Sequence, residues 1–251
     1  MTMAHCIIIG AGSGLGQAIA RRFGAEEHRI GLVARDPSSL QSMAEGLGAL
    51  GVTTATETAD AGDPDALTRA IKALERRQGP CTTLVYNAAV LKAADPLELS
   101  VARLHAEFDV NLVGGLVAAQ AVAPAMMARG SGAILFTGGG LALEPYPEWS
   151  SLALGKAALR SLAFSLNKTL APSGVQVAVI AICGIVAEGT PFDPNVIADE
   201  YWRLAQAPPG ASHRELIFQP EGTDPFYNDP QRAHRATTVT PAHVNSGDDG
   251  S

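Results

Sequence analysis

The stretch Cys6-Ile7-Ile8-Ile9-Gly10-Ala11-Gly12-Ser13-Gly14-Leu15-Gly16 decides the fold of this 251-residue chain. An apolar run that reads as a buried strand passes through a glycine loop into a segment of helical spacing, predicted over 14–24. Without side chains, Gly10 can turn tightly, while Gly14 and Gly16 let a diphosphate and the strand approach each other. The N–H groups of the helix start, around Ser13 and Leu15, attract anionic oxygens. A tight turn with no ligand is the plainer alternative, and the strand-loop-helix context argues against it.

Outward from this loop, short runs rich in Ile, Val and Leu alternate with longer helical segments, the pattern of a parallel sheet covered on both faces. Strands are predicted at 5–10, 29–34, 52–58, 82–86, 132–137, 175–182 and 215–219, and helices at 14–24, 37–50, 64–78, 100–129 and 149–171. Right-handed crossovers then give a single α/β domain over 1–219 with a doubly wound, seven-stranded parallel sheet. Past Gln219, four prolines (Pro220, Pro225, Pro230, Pro241) and the loss of aliphatic periodicity predict a flexible tail over 220–251, with Phe226 and Tyr227 as its possible anchors.

Apolar residues make up 47% of the chain and charged residues 17%, enough for one large core. No unbroken apolar run approaches the roughly 20 residues of a membrane span, and the start lacks the pattern of a secretory signal, so a cytoplasmic protein without a membrane partner is expected. A formal charge of −7 with scattered basic residues argues against a nucleic-acid partner. Cys6, Cys81 and Cys183 have neither metal-ligand spacing nor an even count for a disulfide framework.

The second strand ends in Ala34-Arg35-Asp36, about 25 residues after the first glycine. An acid at a strand end binds the adenosine ribose hydroxyls, whereas a small residue followed by Arg leaves room and a fork of donors for a 2′-phosphate. NADP is therefore expected over NAD, with Asp36 taking the ribose role if the strand runs one residue further.

The set of motifs resembles the short-chain dehydrogenase/reductase family, whose loop spacing Gly10, Gly14, Gly16 follows. Under that resemblance Asp60, followed by Ala61, stands at the adenine contact, and Asn87-Ala88-Ala89 matches an Asn-Ala-Gly motif with Ala89 for the glycine. Asn111 matches the helix asparagine that helps hold an active-site water. Lys156 matches the lysine of the catalytic helix, which bridges the nicotinamide ribose hydroxyls. Cys183-Gly184 stands where the family has Pro-Gly, with Val186 next in the cofactor set. The resemblance spans about 5–219 and implies a Rossmann-type sheet, NADP(H) chemistry on a small-molecule substrate, and a homodimer or homotetramer. Its interface would use the helices holding Asn111 and Lys156, where the small residues from Val113 to Ala119 permit close packing.

Two family hydroxyls are missing. The tyrosine four residues before the lysine is Leu152, and the serine thirteen residues before that falls in Gly138-Gly139-Gly140. The enoyl-reductase variant, with tyrosine seven residues before the lysine, meets Trp149. Glu188 stands where a threonine is common, with Thr190 as its substitute. Replacement acids are Tyr146, Ser151 and Cys183, of which Tyr146 is the choice and Cys183 reads better as a buried small residue. Two functions remain: an NADP(H) oxidoreductase with altered proton delivery, or a non-catalytic NADP(H)-binding sensor or partner subunit. The segment 185–213 is expected to cover the substrate pocket, where Phe192, Tyr201, Trp202 and Leu204 read either as an apolar, partly aromatic lining or as core.

Overall fold

In the computed structural model, which describes residues 3–207 and 214–223, seven parallel strands form one sheet. They are β1 (His5–Ile9), β2 (Arg29–Ala34), β3 (Thr54–Thr58), β4 (Thr83–Tyr86), β5 (Gly132–Thr137), β6 (Val175–Ile182) and β7 (Glu215–Phe218), each starting or ending within two residues of expectation. The order β3-β2-β1-β4-β5-β6-β7 reverses the winding direction between β1 and β4. Ile9 pairs with Val33 on one side and Tyr86 on the other, so the loops leaving β1 and β4 part here and open a crevice at the carboxyl edge.

Side chains alternate between two cores. Ile7, Ile9, Leu84, Tyr86, Ile134 and Phe136 pack against α3 (Pro64–Gln78), α5 (Gly114–Arg129) and α6 (Ser150–Leu170). Cys6, Ile8, Ile30, Leu32, Val85 and Leu135 pack against α1 (Leu15–Gly24), α2 (Pro37–Ala49) and α7 (Pro194–Ala205). All three cysteines are buried and free.

Three helices open on the same device: Asp36-Pro37, Asp63-Pro64 and Asp193-Pro194 each supply a capping carboxylate and a proline in the first turn. The third opens α7, and of the two readings left open for the aromatic and aliphatic residues around it, lining or core, their packing favours core. Tyr201 is fully buried and Phe192 and Leu204 nearly so, while Trp202 packs edge-on against Phe23 and His28 of the α1 region. These residues are core.

The helix expected over 100–129 runs from Val101 to Arg129 and is interrupted by a π-helical turn at Asp109–Val113 that divides it into α4 (Val101–Phe108) and α5. Tyr86 donates its hydroxyl to the Val110 carbonyl in that turn at 2.5 Å. A Cβ on Gly114 would lie 2.3 Å from both the Ala61 carbonyl and the Tyr86 hydroxyl, so the helix touches the crevice floor directly. Gly114, Gly115, Ala118 and Ala119 are buried within the chain's own core. By length and composition the stretch Val101–Arg129 is apolar enough to cross a membrane, with mean hydropathy 1.5 in its best window. The α5 part of this stretch packs on β4 and β5, with Ala118, Ala119, Val122 and Met126 in the core. Of the expected tail, residues 224–251, with Phe226 and Tyr227, lie outside the described residues.

Candidate active site

The loop after β1 is built by its own hydrogen bonds. Gly10 and Ala11 donate their N–H groups to the Val33 carbonyl at 2.9 and 3.1 Å, and Gly12 donates to Gly10 at 3.0 Å. Gly10 has φ +85°, and a Cβ there would meet the Ala88 nitrogen at 2.4 Å. Beyond this turn, the N–H groups of Ser13, Gly14, Leu15 and Gly16 have no hydrogen-bond partner among the described residues, and no side chain caps α1. Four orphan donors thus stand at the positive end of a helix dipole. Around Gly12 and Gly14 there is open space. This arrangement fits a diphosphate.

Beside it lies a cleft of about 730 Å³, within the range of cofactor pockets. Its walls include Gly10, Arg35, Asp60, Ala61, Asn87, Ala88 and Ala89 from the expected set, together with Ala34, Ser39 and Val110. Ala34 ends β2, so the exposed Arg35 is the first residue past the strand. Asp36 caps α2 instead of extending β2, and the Ser39 and Ser38 side chains and N–H groups bring its carboxyl down to about 2. Asp60 accepts the Gly62 N–H at 2.9 Å, which fixes the floor of the loop after β3.

A polar chain ties this cleft to α6. Asn87 donates to the Gly10 carbonyl at 2.9 Å and accepts the Thr137 hydroxyl at 2.9 Å, while Thr137 shares a 2.7 Å hydrogen bond with Tyr201. The Thr137 carbonyl accepts from Lys156 Nζ at 2.6 Å. Lys156 is 7% exposed, and burial brings its ammonium down to about 8. The Asn87 and Tyr201 contacts on Thr137 were not foreseen: partners 50 and 64 residues apart carry no local pattern.

The remaining expected residues spread around this end. Asn111 sits in the π turn, buried, with its Oδ1 accepting the Val90 N–H at 2.8 Å and its Nδ2 unpartnered among the described residues. Tyr146 is buried in the segment leading into α6. Ser151 is fully buried beside Glu107; burial opposes that acid's ionisation, yet Ser151 and Arg103 hold its carboxyl below the ordinary range. Ser151 therefore faces α4. Burial, with the Glu215 charge, pushes the Cys183 thiol up, which suits a packed residue and not a redox thiol. Gly184 lies under the Phe192 ring, and Val186 packs against the core on the α7 side, both outside the cleft walls. Thr190 is taken up by its turn, donating to Ala187 at 2.8 Å and accepting from Phe192 at 3.1 Å, while Glu188 is exposed.

The sequence matches the family described as short chain dehydrogenase over residues 4–200. The chain belongs to the short-chain dehydrogenase family. A galactitol 2-dehydrogenase (L-tagatose-forming) of Cereibacter sphaeroides is 34% identical over 189 residues, covering 74% of this chain and 73% of that one. The 3-oxoacyl-(acyl-carrier-protein) reductase MabA of Mycobacterium avium is 29% identical over 175 residues, and the match spans 70% of this chain but only 64% of the reductase. A metagenomic short-chain oxidoreductase solved in complex with NADP superposes with a TM-score of 0.80 at 27% identity, covering 88% of this chain and 98% of its own. Short-chain dehydrogenase membership accounts for the seven-stranded sheet and for the crevice where its winding reverses.

Proposed function

We propose that this short-chain dehydrogenase is an NADP(H)-dependent oxidoreductase whose proton delivery differs from that of its relatives. The observation that carries the cofactor reading is the set of four unpartnered N–H groups at Ser13–Gly16, which follow directly on Gly10, Ala11 and Gly12 in the wall of a cleft edged by Arg35. Bound there, the dinucleotide supplies the hydride. In this reading Ser13 to Gly16 hold its diphosphate, Ala34 leaves room for a 2′-phosphate that Arg35 grips, and Asp60 and Ala61 flank the adenine. Lys156, Gly184 and Val186 serve the nicotinamide end, with Lys156 on the ribose and Asn111 ordering water nearby. The named activities of the dehydrogenase and reductase relatives support redox chemistry, and that of the galactitol dehydrogenase supports a small-molecule substrate.

No hydroxyl is carried by Leu152 or by Gly139. We assign proton delivery to Tyr146, the phenol preceding the catalytic helix. Binding without turnover is the second reading, and one observation favours it: Leu152, one helical turn before Lys156, is 5% exposed and joins the packed interior.

Titration of cofactor fluorescence tests the first part. NADPH should bind about 10- to 150-fold more tightly than NADH, as a charge-assisted contact of ~1.5–3 kcal/mol implies, and Arg35→Ala should erase most of that ratio. Equal affinities in the natural protein would overturn the assignment. For the second part, turnover of a carbonyl panel should be slow and should fall further, by about 10²-fold, in Tyr146→Phe. Turnover unaffected by that change would remove Tyr146 from the mechanism.

A further inference from the structure

Resting on that reading of the cleft, we infer that Ser38 and Ser39 are specificity-determining residues: they hold the Asp36 carboxylate on helix α2 and so keep it from the cofactor's ribose. Asp36 follows Arg35 directly, and both line the same cleft with Ser39. An acid at that rim can do one of two things. Free, it accepts two ribose hydroxyls and selects the cofactor without a 2′-phosphate; engaged elsewhere, it leaves the ribose to Arg35.

The hydrogen bonds show which occurs. Asp36 Oδ1 accepts from the Ser38 N–H at 3.0 Å and the Ser38 hydroxyl at 2.8 Å. Oδ2 accepts from the Ser39 hydroxyl at 2.6 Å, the Ser38 hydroxyl at 3.0 Å and the Ser39 N–H at 3.3 Å. A carboxylate has about four lone-pair sites, so this one is filled. Capping alone does not require that. Asp63, which opens α3 with the same Asp-Pro pair, uses only Oδ1, accepting the Asp65 and Ala66 N–H groups at 3.0 and 2.9 Å. The excess at Asp36 comes from the two serine hydroxyls, which make three of its five contacts. With both hydroxyls removed, the Ser38 N–H on Oδ1 keeps the helix capped, while Oδ2, then held only by the 3.3 Å contact from the Ser39 N–H, can turn into the cleft.

The test is a fluorescence titration of NADPH and NADH against the full chain as the natural protein, Ser38→Ala/Ser39→Ala, and that pair combined with Asp36→Ala. The double variant should bind NADH about tenfold more tightly, as one added charge-assisted pair implies, and the triple variant should lose this gain. Unchanged NADH affinity in the double variant, beside a natural protein that prefers NADPH, overturns the inference and leaves the cofactor reading intact. A gain that persists without Asp36 overturns it as well. Equal affinities in the natural protein overturn the inference together with the preference for NADPH. Thermal melts accompany each titration; should the double variant not fold, the single Ser39→Ala variant carries the test, with a gain of about threefold in NADH affinity expected and no gain overturning the inference.

Discussion

Two glycine-rich stretches leave the carboxyl edge of the sheet, one after β1 and one after β5, and their glycines exist for different reasons. In the first, Gly10 is required by backbone geometry, with φ +85° and Ala88 pressed against it. In the second, a Cβ on Gly138 would strike Val179 at 2.7 Å and the Ile180 carbonyl at 3.0 Å, so bareness is again a packing matter. Gly139 is the contrast. Its backbone is extended (φ −175°), and a Cβ there would meet nothing nearer than the Ile182 carbonyl at 3.8 Å and the Lys156 stem at 3.9 Å. The fold would accept a side chain at Gly139 beside Lys156, so the missing hydroxyl there is not a demand of packing, whereas Gly10 is bare because the backbone demands it.

The largest effect expected from this contrast is a gain. Gly139→Ser with Leu152→Tyr, assayed as NADPH oxidation with simple ketones, should raise the rate by about 10² or more. Gly138→Ser in place of Gly139→Ser should instead destabilise the protein. If the Gly138 variant folded normally and gained activity, the distinction between the two glycines would collapse. Next in size is a loss at the other end: Gly14→Asp sets a carboxylate among the orphan N–H groups and should weaken NADPH binding about 100-fold. Because a Cβ on Gly14 meets no atom within 4 Å, the melting temperature should hardly move. A large drop in melting temperature would show that the loop is as tightly packed there as at Gly10.

The smallest effect concerns the charge that the catalytic end keeps. Lys156 titrates near 8 in the fold and near 10.4 when unfolded, because burial disfavours its ammonium. Below pH 8 both states hold the proton and the fold bears the full cost of burial. Between about 8 and 10.4 the unfolded chain holds more of it, so this group makes stability rise with pH. Lys156→Met should therefore stabilise the protein at pH 7, by about 2 kcal/mol after loss of the Thr137 hydrogen bond, and the gain should shrink as the pH approaches 10. Denaturant melts at pH 7 and pH 10 measure it; a destabilised variant at pH 7 would show that Lys156 is held by more than one carbonyl.

Much of this was legible in the chain itself. Apolar runs and glycine punctuation placed the inner strands, because a strand buried on both faces must be largely apolar and a parallel sheet needs a crossover between strands, while the edge strand β3 is half-buried and carries Thr and Glu. Helix α7 was not among the expected helices, although Asp193-Pro194 repeats the pair of Asp36-Pro37 and Asp63-Pro64, and the apolar residues beside it read equally as lining or as core. The π turn at Asp109–Val113 was not legible, because one residue more per turn leaves no mark on a mostly apolar helix.

What the sequence determined by itself is local: the turn at Gly10, the open donors of the helix after it, Ala34 and Arg35 at the end of β2, and the absence of hydroxyls at Leu152 and Gly139. Tertiary structure alone decided that Tyr201 and Phe192 are core, and that Thr137 links Asn87, Tyr201 and Lys156. The physical reason is range. Backbone conformation answers to neighbours within a few residues, whereas a buried polar group is satisfied by whatever donor or acceptor the packed sheet and helices bring within 3 Å.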